Sequence, residues 1–168
     1  MNTGFFKVSD EQLKKDWEKL EWPMSGENSL EDALFKNPRR ATASSAGYDM
    51  FAPINLLLKP GESMTIPTGF KFRVPSGYFL MIVPRSGLGF KFQIGLANTV
   101  GIIDADYFDN VDNEGHIFVK LVNYGDKECR IEKGKAFAQA IILKYFITDD
   151  DNVEEIMRLG GIGSTDVL

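Results

Sequence analysis

The sequence is poor in the residues that several function classes need. It has one cysteine, Cys129, so no internal disulfide can form, and a reducing compartment is the expectation. With one histidine and no evident base beside it, Cys129 reads as a small strand residue rather than a nucleophile. That histidine, His116, excludes a His-rich metal cage and reads as a strand residue near a turn. Lys and Arg never cluster beyond two adjacent positions and the net charge is −5, so there is no footprint for duplex nucleic acid or an anionic membrane. The longest apolar runs are only a few residues, far short of a membrane span. The first ten residues lack a basic stretch followed by an apolar core, so no secretory signal is expected and the expected location is cytoplasmic. Gly134-Lys135 has neither the upstream glycine nor the following Ser/Thr of a phosphate-binding P-loop, and no GxSxG elbow occurs.

What is abundant is glycine and phenylalanine, 16 and 13 of 168 residues, which points to tight turns around an aromatic β core. A chain of this length is expected to form a single domain spanning 1–168 and to hide roughly 70% of its unfolded surface. Thr3 to Val8 reads as a short strand. Ser9 with Gln12 three residues on is a capping-box signature, and Leu13, Trp17 and Leu20 follow at helical spacing. Pro23 and Gly26 end that helix, and Leu30, Ala33 and Leu34 predict a second short helix from Ser29. Residues 10–36 are therefore expected to form a helical insert, most simply packed on the outside of the β structure.

From Ala41 onward, short apolar or alternating runs are separated by turn signals every 8 to 12 residues or so, such as Lys59-Pro60-Gly61, Pro75-Ser76-Gly77 and Glu132-Lys133-Gly134. That rhythm predicts an all-β sandwich or barrel. Phe70, Phe72 and Val74 alternate with Lys71 and Arg73. Tyr78–Val83, Ile117–Val122 and Ala136–Phe146 are the strongest strands. The segment 149–168 begins with three aspartates and ends in a glycine-rich stretch that is expected to be a mobile lid.

Several short polar clusters fall at strand ends. Arg85-Ser86-Gly87 follows a central strand, where backbone N–H groups and a neighbouring Arg suit phosphate oxygens; read alone it is an ordinary turn. Asp104 and Asp106 are two apart and would share a face in a strand, where one of them could act as a general base for water; the plain alternative is a solvated turn. Asp49 follows the small-residue turn Ser45-Ala46-Gly47. Gly160 to Thr165 could cover a phosphate chain, or could be a tail with no role.

Taken in order, these clusters resemble the five motifs of the trimeric dUTPase family: Ala46-Gly47-Tyr48-Asp49-Met50; Pro84-Arg85-Ser86-Gly87-Leu88; Asn98 through Tyr107; Gly134-Lys135-Ala136-Phe137-Ala138-Gln139; and Arg158 followed by Gly160 to Thr165. The resemblance runs from about residue 5 to residue 165. It implies a jelly-roll-like distorted β-barrel and hydrolysis of dUTP to dUMP and pyrophosphate, which limits uracil in DNA and supplies dUMP for dTMP synthesis. It implies Asp104 as the base for the attacking water and Tyr107 as the ring packed on the deoxyribose. Asn98 and Gly101 would lie at the uracil edge. Arg85, Ser86, Gly87 and Gln139 would contact the phosphates, and Arg158, Gly163, Ser164 and Thr165 would close over the γ-phosphate. It implies Mg²⁺ carried mainly by the triphosphate and water, with Asp49 acting through water. It also implies a homotrimer with three shared active sites.

Departures from the family pattern are Ile162 where the lid usually stacks an aromatic, Arg158 one residue nearer the glycine pair than in many members, a longer polar loop at 108–115, and the helical insert; the insert or the loop could serve a protein partner. Two rivals remain. A dCTP deaminase on the same fold would need a Glu base near the pyrimidine, and a nucleotide-binding regulator would bind dUTP without releasing pyrophosphate.

Overall fold

The computed structural model describes residues 2–151. In chain order the elements are β1 (Gly4–Lys7), α1 (Asp10–Lys19), β2 (Arg39–Arg40), β3 (Tyr48–Phe51), β4 (Leu56–Leu58), β5 (Ser63–Pro67), β6 (Phe70–Arg73), β7 (Tyr78–Pro84), α2 (Ser86–Phe92), β8 (Ile94–Leu96), β9 (Gly101–Ile103), a 3₁₀ turn (Ala105–Tyr107), β10 (Phe118–Asn123), β11 (Cys129–Ile131) and β12 (Ala136–Lys144). The fold is mostly β, as the turn rhythm predicts. Among the described residues the strands form four antiparallel sheets rather than one closed ring: β1-β6, β5-β10-β8, β11-β4 and β2-β3-β12-β7-β9. No described helix is long and apolar enough to cross a membrane.

Alternation explains the core. Phe70 and Phe72 point inward from β6 and are almost fully buried, while Lys71 and Arg73 face the other way. Leu80 and Ile82 of β7, Val119 and Leu121 of β10, and Phe137, Ala138 and Ala140 of β12 join them. Each large apolar side chain buried this way stabilises the fold by ~1.5–3 kcal/mol relative to exposure. β12 sits between β3 and β7, where its small residues Ala138 and Ala140 let the sheet pack closely. The strand stops at Lys144, short of the expected Phe146; Tyr145, Phe146 and Ile147 are exposed. Cys129 is fully buried in β11, and burial pushes its thiol above the ordinary value, which suits a packing residue.

The N-terminal region departs from expectation in an informative way. Ser9 caps α1 as predicted, its Oγ accepting the Gln12 N–H at 3.1 Å. The reciprocal half of the capping box is absent, however. Gln12 turns inward and its Nε2 donates to Asp16 Oδ2 at 2.9 Å, while the Ser9 N–H and hydroxyl both donate to Glu114, at 3.0 and 2.5 Å. A glutamate 105 residues away thus replaces the local partner, and this fastens α1 to the 108–115 loop. Trp17 is fully buried against Trp22 and Phe35, and its indole N–H donates to the Pro23 carbonyl at 2.7 Å.

The second helix predicted from Ser29 does not form. The Ser29 hydroxyl bonds the Gly26 carbonyl and receives the Asp32 N–H, and the Leu30 and Leu34 N–H groups go to the Pro23 and Pro53 carbonyls. Local side-chain bonds and distant carbonyls have taken the donors a helix would use. The expected helical insert is helical only over Asp10–Lys19. Its remainder is tied down by Lys133, whose ammonium donates to the Asp32 carboxylate at 2.7 Å; that bond, ahead of the others, holds the Asp32 carboxyl below its ordinary value.

Candidate active site

The first group of candidate residues follows β8. The chain leaves Leu96 through a turn in which Thr99 adopts φ 64°, enters β9 at Gly101, and leaves it at Asp104. This is not a hairpin of paired strands. β8 bonds to β10 and β9 bonds to β7, so the turn carries the chain from one sheet to another. The crossing opens a pocket of about 230 Å³ lined by Asn98 and Gly101 together with Thr65, Ile82, Phe118 and Lys120. Its size and largely apolar walls suit one flat ring held at its edge by an amide, rather than a whole nucleotide. Only Asn98 and Gly101 of this lining carried a signal in the sequence. Thr65, Ile82, Phe118 and Lys120 come from strands that the sequence shows but cannot place beside each other.

Asp104 is the first residue past β9. It is exposed, and its carbonyl accepts the Tyr107 N–H at 3.2 Å. Of the two readings of Asp104 and Asp106, the turn is the one that forms, because β9 ends before them. Asp104 has extended backbone (φ −75°, ψ 161°) and Asp106 lies in the 3₁₀ turn, so they do not share a strand face. The turn arises because Tyr107 is drawn into the protein. It is 6% exposed, its hydroxyl donates to the His116 carbonyl at 3.1 Å, and the hydroxyl accepts from Asn113 Nδ2 at 2.7 Å. Any contact with a sugar would fall to the ring, because the hydroxyl is committed.

The loop expected at 108–115 is a tightly folded turn rather than an extension of a hairpin. Asp109 N–H reaches the Glu114 carbonyl, Glu114 N–H reaches the Asn110 carbonyl, and the side chains of Asn110 and Asn113 bond the backbone at Asp112 and Gly115. Lys71 clamps it from β6, its ammonium 2.5 Å from Asp109 and 3.2 Å from Glu114. Burial works against the Lys71 charge, but these two carboxylates outweigh it and raise its pKa. The Glu114 carboxyl is held below its ordinary value, first by the Ser9 hydroxyl and, against a smaller cost of burial, by the Ser9 N–H and Lys71.

The second group lies around the end of β7. Arg85 follows the last residue of the strand, and Ser86 and Gly87 open α2, where the sequence suggested only a turn. Among the described residues no side chain caps α2, so Ser86 and Gly87 present an exposed hydroxyl and first-turn backbone. Among the described residues nothing lies within 4 Å of where a Cβ on Gly87 would stand, so this backbone faces open space. Arg85 Nε is 3.4 Å from Asp49 Oδ1. Asp49 is paired across the sheet with Gln139, and Gln139 Nε2 donates to the Pro84 carbonyl at 3.1 Å. Gly47 is what allows this approach, since any Cβ there would collide with the Gln139 amide. Asp49, Arg85, Ser86, Gly87 and Gln139 are thus brought together by β3, β12 and β7.

The two groups do not meet within one chain. Leu80 pairs with Ile103, so Asp104 lies at the N-terminal end of β7, whereas Arg85 lies past its C-terminal end. Arg85 is five positions beyond Leu80, which is roughly 17 Å of strand. Arg158, Gly163, Ser164 and Thr165, with Ile162, lie outside the described residues. Among the described residues no group of three or more His, Cys, Asp or Glu side chains could hold a metal ion.

Comparison with known proteins places these features. The dUTPase family model matches residues 34–165. A deoxyuridine 5′-triphosphate nucleotidohydrolase of Lactococcus lactis is 43% identical over 129 residues, 76% of this chain and 86% of that protein. One from Rickettsia prowazekii is 42% identical over 142 residues, 81% of this chain and 92% of that protein. The crystal structure of a dUTPase from Streptococcus mutans superposes with TM-score 0.64 at 30% identity, covering 87% of this chain and 98% of that one.

Proposed function

The chain belongs to the dUTPase family and hydrolyses dUTP to dUMP; we propose that Asp104 activates the attacking water and that neighbouring subunits complete each site. The base would enter the pocket lined by Asn98 and Gly101, with the Asn98 amide and the backbone of the turn at the uracil edge; rejection of a 5-methyl group there would be by shape. The Tyr107 ring would meet the deoxyribose and leave no room for a 2′-hydroxyl. Asp104 would accept a proton from water as its oxygen attacks the α-phosphorus. The bond from that phosphorus to the bridging oxygen breaks, and pyrophosphate leaves with that oxygen.

The observation that carries this reading is the position of Asp104. It is an exposed carboxylate on extended backbone, three residues from a pocket-lining glycine and directly bonded through its carbonyl to the turn that holds Tyr107. A nucleotide lying from the Asn98 pocket toward Asp104 runs along β9 away from Arg85. The phosphate-binding group must then come from another copy, which supports a homotrimer with shared sites. Arg85, Ser86, Gly87 and Gln139 of a neighbour would neutralise phosphate oxygens, and Arg158, Gly163, Ser164 and Thr165 would close over the γ-phosphate.

The donor set fits Mg²⁺ only as an ion that keeps its water. Asp49 is a single carboxylate already engaged by Arg85, so it would act through water while the triphosphate supplies the direct ligands. When bound, the ion spreads the charge of the phosphate chain.

The test is pyrophosphate release from dUTP, dCTP, dTTP and UTP with Mg²⁺, by the native protein and by Asp104→Asn. The expected result is dUTP as the one efficient substrate, and a fall in turnover of about 10²–10⁴-fold in the variant with dUTP binding retained. Near-native turnover in the variant would contradict the role of Asp104. Ammonia release from dCTP would contradict the reaction class.

A further inference from the structure

His116 and Asp16 form a buried polar pair that the reaction itself does not use. His116 is fully buried, Asp16 is 4% exposed, and His116 Nδ1 lies 2.7 Å from Asp16 Oδ2. The backbone N–H of Gly69 donates to His116 Nε2 at 2.8 Å, so Nε2 is an acceptor and the ring proton sits on Nδ1, aimed at Asp16. Asp16 Oδ2 also accepts from Gln12 Nε2 at 2.9 Å. The polar atoms of the imidazole are therefore satisfied on both sides, and loss of Asp16 would strand a buried donor.

The same histidine touches the substrate-facing region in two ways. Its backbone carbonyl accepts the Tyr107 hydroxyl, and its ring packs on Phe118, which lines the base pocket, with centroids 4.5 Å apart. The backbone beyond it is fixed as well, because Thr68 N–H and Oγ both bond the Ile117 carbonyl and Ile117 N–H bonds the Phe70 carbonyl. Asp16 belongs to α1, which precedes the first residue matched by the family model.

We propose that Asp16 is a positioning residue for sugar selection: through His116 it fixes the ring of Tyr107, so the N-terminal helix sets how strictly the site prefers a deoxyribonucleotide to a ribonucleotide. This rests on the reading that the Tyr107 ring meets the sugar. A ring excludes a 2′-hydroxyl by shape only while it cannot retreat. Its hydroxyl is held by the His116 carbonyl and by Asn113, so a shift of the His116 backbone moves the tip of the ring.

The experiment measures kcat/KM for dUTP and for UTP in Asp16→Ala, Asp16→Asn, Tyr107→Phe, the double variant Asp16→Ala/Tyr107→Phe, and Trp17→Phe. Trp17→Phe disturbs the packing of α1 without touching the polar pair. Asp16→Ala and Tyr107→Phe are each expected to lower the preference for dUTP over UTP by roughly twofold to tenfold, the scale of one neutral hydrogen bond. The double variant should lose no more than either single one, because both cut the same connection. Asp16→Asn should keep the preference, since its amide oxygen can still accept from Nδ1. Trp17→Phe should lower Tm and leave the preference unchanged. A folded Asp16→Ala with native preference, additive losses in the double variant, or an equal loss in Trp17→Phe would overturn the proposal. Should Asp16→Ala fail to fold, Tyr107→Phe decides, and an unchanged preference there overturns it. Tyr107→Ala separates the two readings. If it leaves the preference unchanged, the placement of Tyr107 at the sugar is wrong; if it alone changes the preference, only the role of Asp16 is wrong.

Discussion

At the scale of single residues, exposed chemistry was legible in the sequence and buried polar chemistry was not. Asp104 and Arg85, unlike Asn98, which only the family resemblance marks, stand out because they follow apolar runs at turn signals. Gln12, Asp16 and His116 do not, because a polar residue on a buried helix face looks the same in sequence as one on a solvated face. Only the fold shows that α1 turns Gln12 and Asp16 inward beside Trp17.

Glu114 gives a prediction at this scale. Its folded pKa lies below the ordinary 4.5, so the stability it contributes is fully present above about that pH and is lost as pH falls through the lower folded value. Lys71 has the opposite sign. Its raised pKa gives a contribution that is full below the ordinary 10.5 and is lost only as pH rises beyond it, so Lys71 does not weaken the acid side. Glu114→Gln should therefore have a lower Tm than the native protein near neutral pH, with the gap narrowing as pH drops below about 4. Thermal melts across pH check this, and a gap that stays constant down to the lowest pH would refute it.

At the scale of elements, strands with clean alternation and the capped helix α1 are read correctly, whereas α2 and the segment from Ser29 are not. β6 shows its period of two without ambiguity, and Phe72 is buried as that period requires. Phe72→Ala should cost ~3–5 kcal/mol of stability by denaturant titration. α2 went unseen because Ser-Gly followed by glycine and phenylalanine scores as a turn, whereas in the fold Leu88 and Gly89 both bond back to the Arg85 carbonyl and start a helix. The segment from Ser29 erred the other way: its apolar spacing was real, but its N–H groups bond distant carbonyls. The N-cap of α1 was legible, while its tie to Glu114 was not, since no local pattern reports a contact across 105 residues. Ser9→Ala removes both the cap and one hydrogen bond of that tie. A loss of about 1–2 kcal/mol is expected, and a loss below a few tenths would show that the cap carries little.

At the scale of the whole molecule, one chain holds its two groups of candidate residues at opposite ends of β7. Asp104 and the Asn98 pocket lie on one side, and Arg85, Ser86, Gly87 and Gln139 lie on the other. The motifs were legible one by one, and so was their order. Their distribution in space was not, because it depends on β9 pairing with β7 in one register. That register and the length of a nucleotide are what support the proposal of shared sites. The most direct test is subunit complementation. Asp104→Asn and Arg85→Ala, each crippled alone, are co-expressed with different tags, and the mixed oligomers are isolated by successive affinity steps. The expected result is recovery of roughly a third of native dUTP turnover, from sites that pair an intact Asp104 of one copy with an intact Arg85 of another. Mixed oligomers as inactive as the two single variants would contradict a site divided between chains.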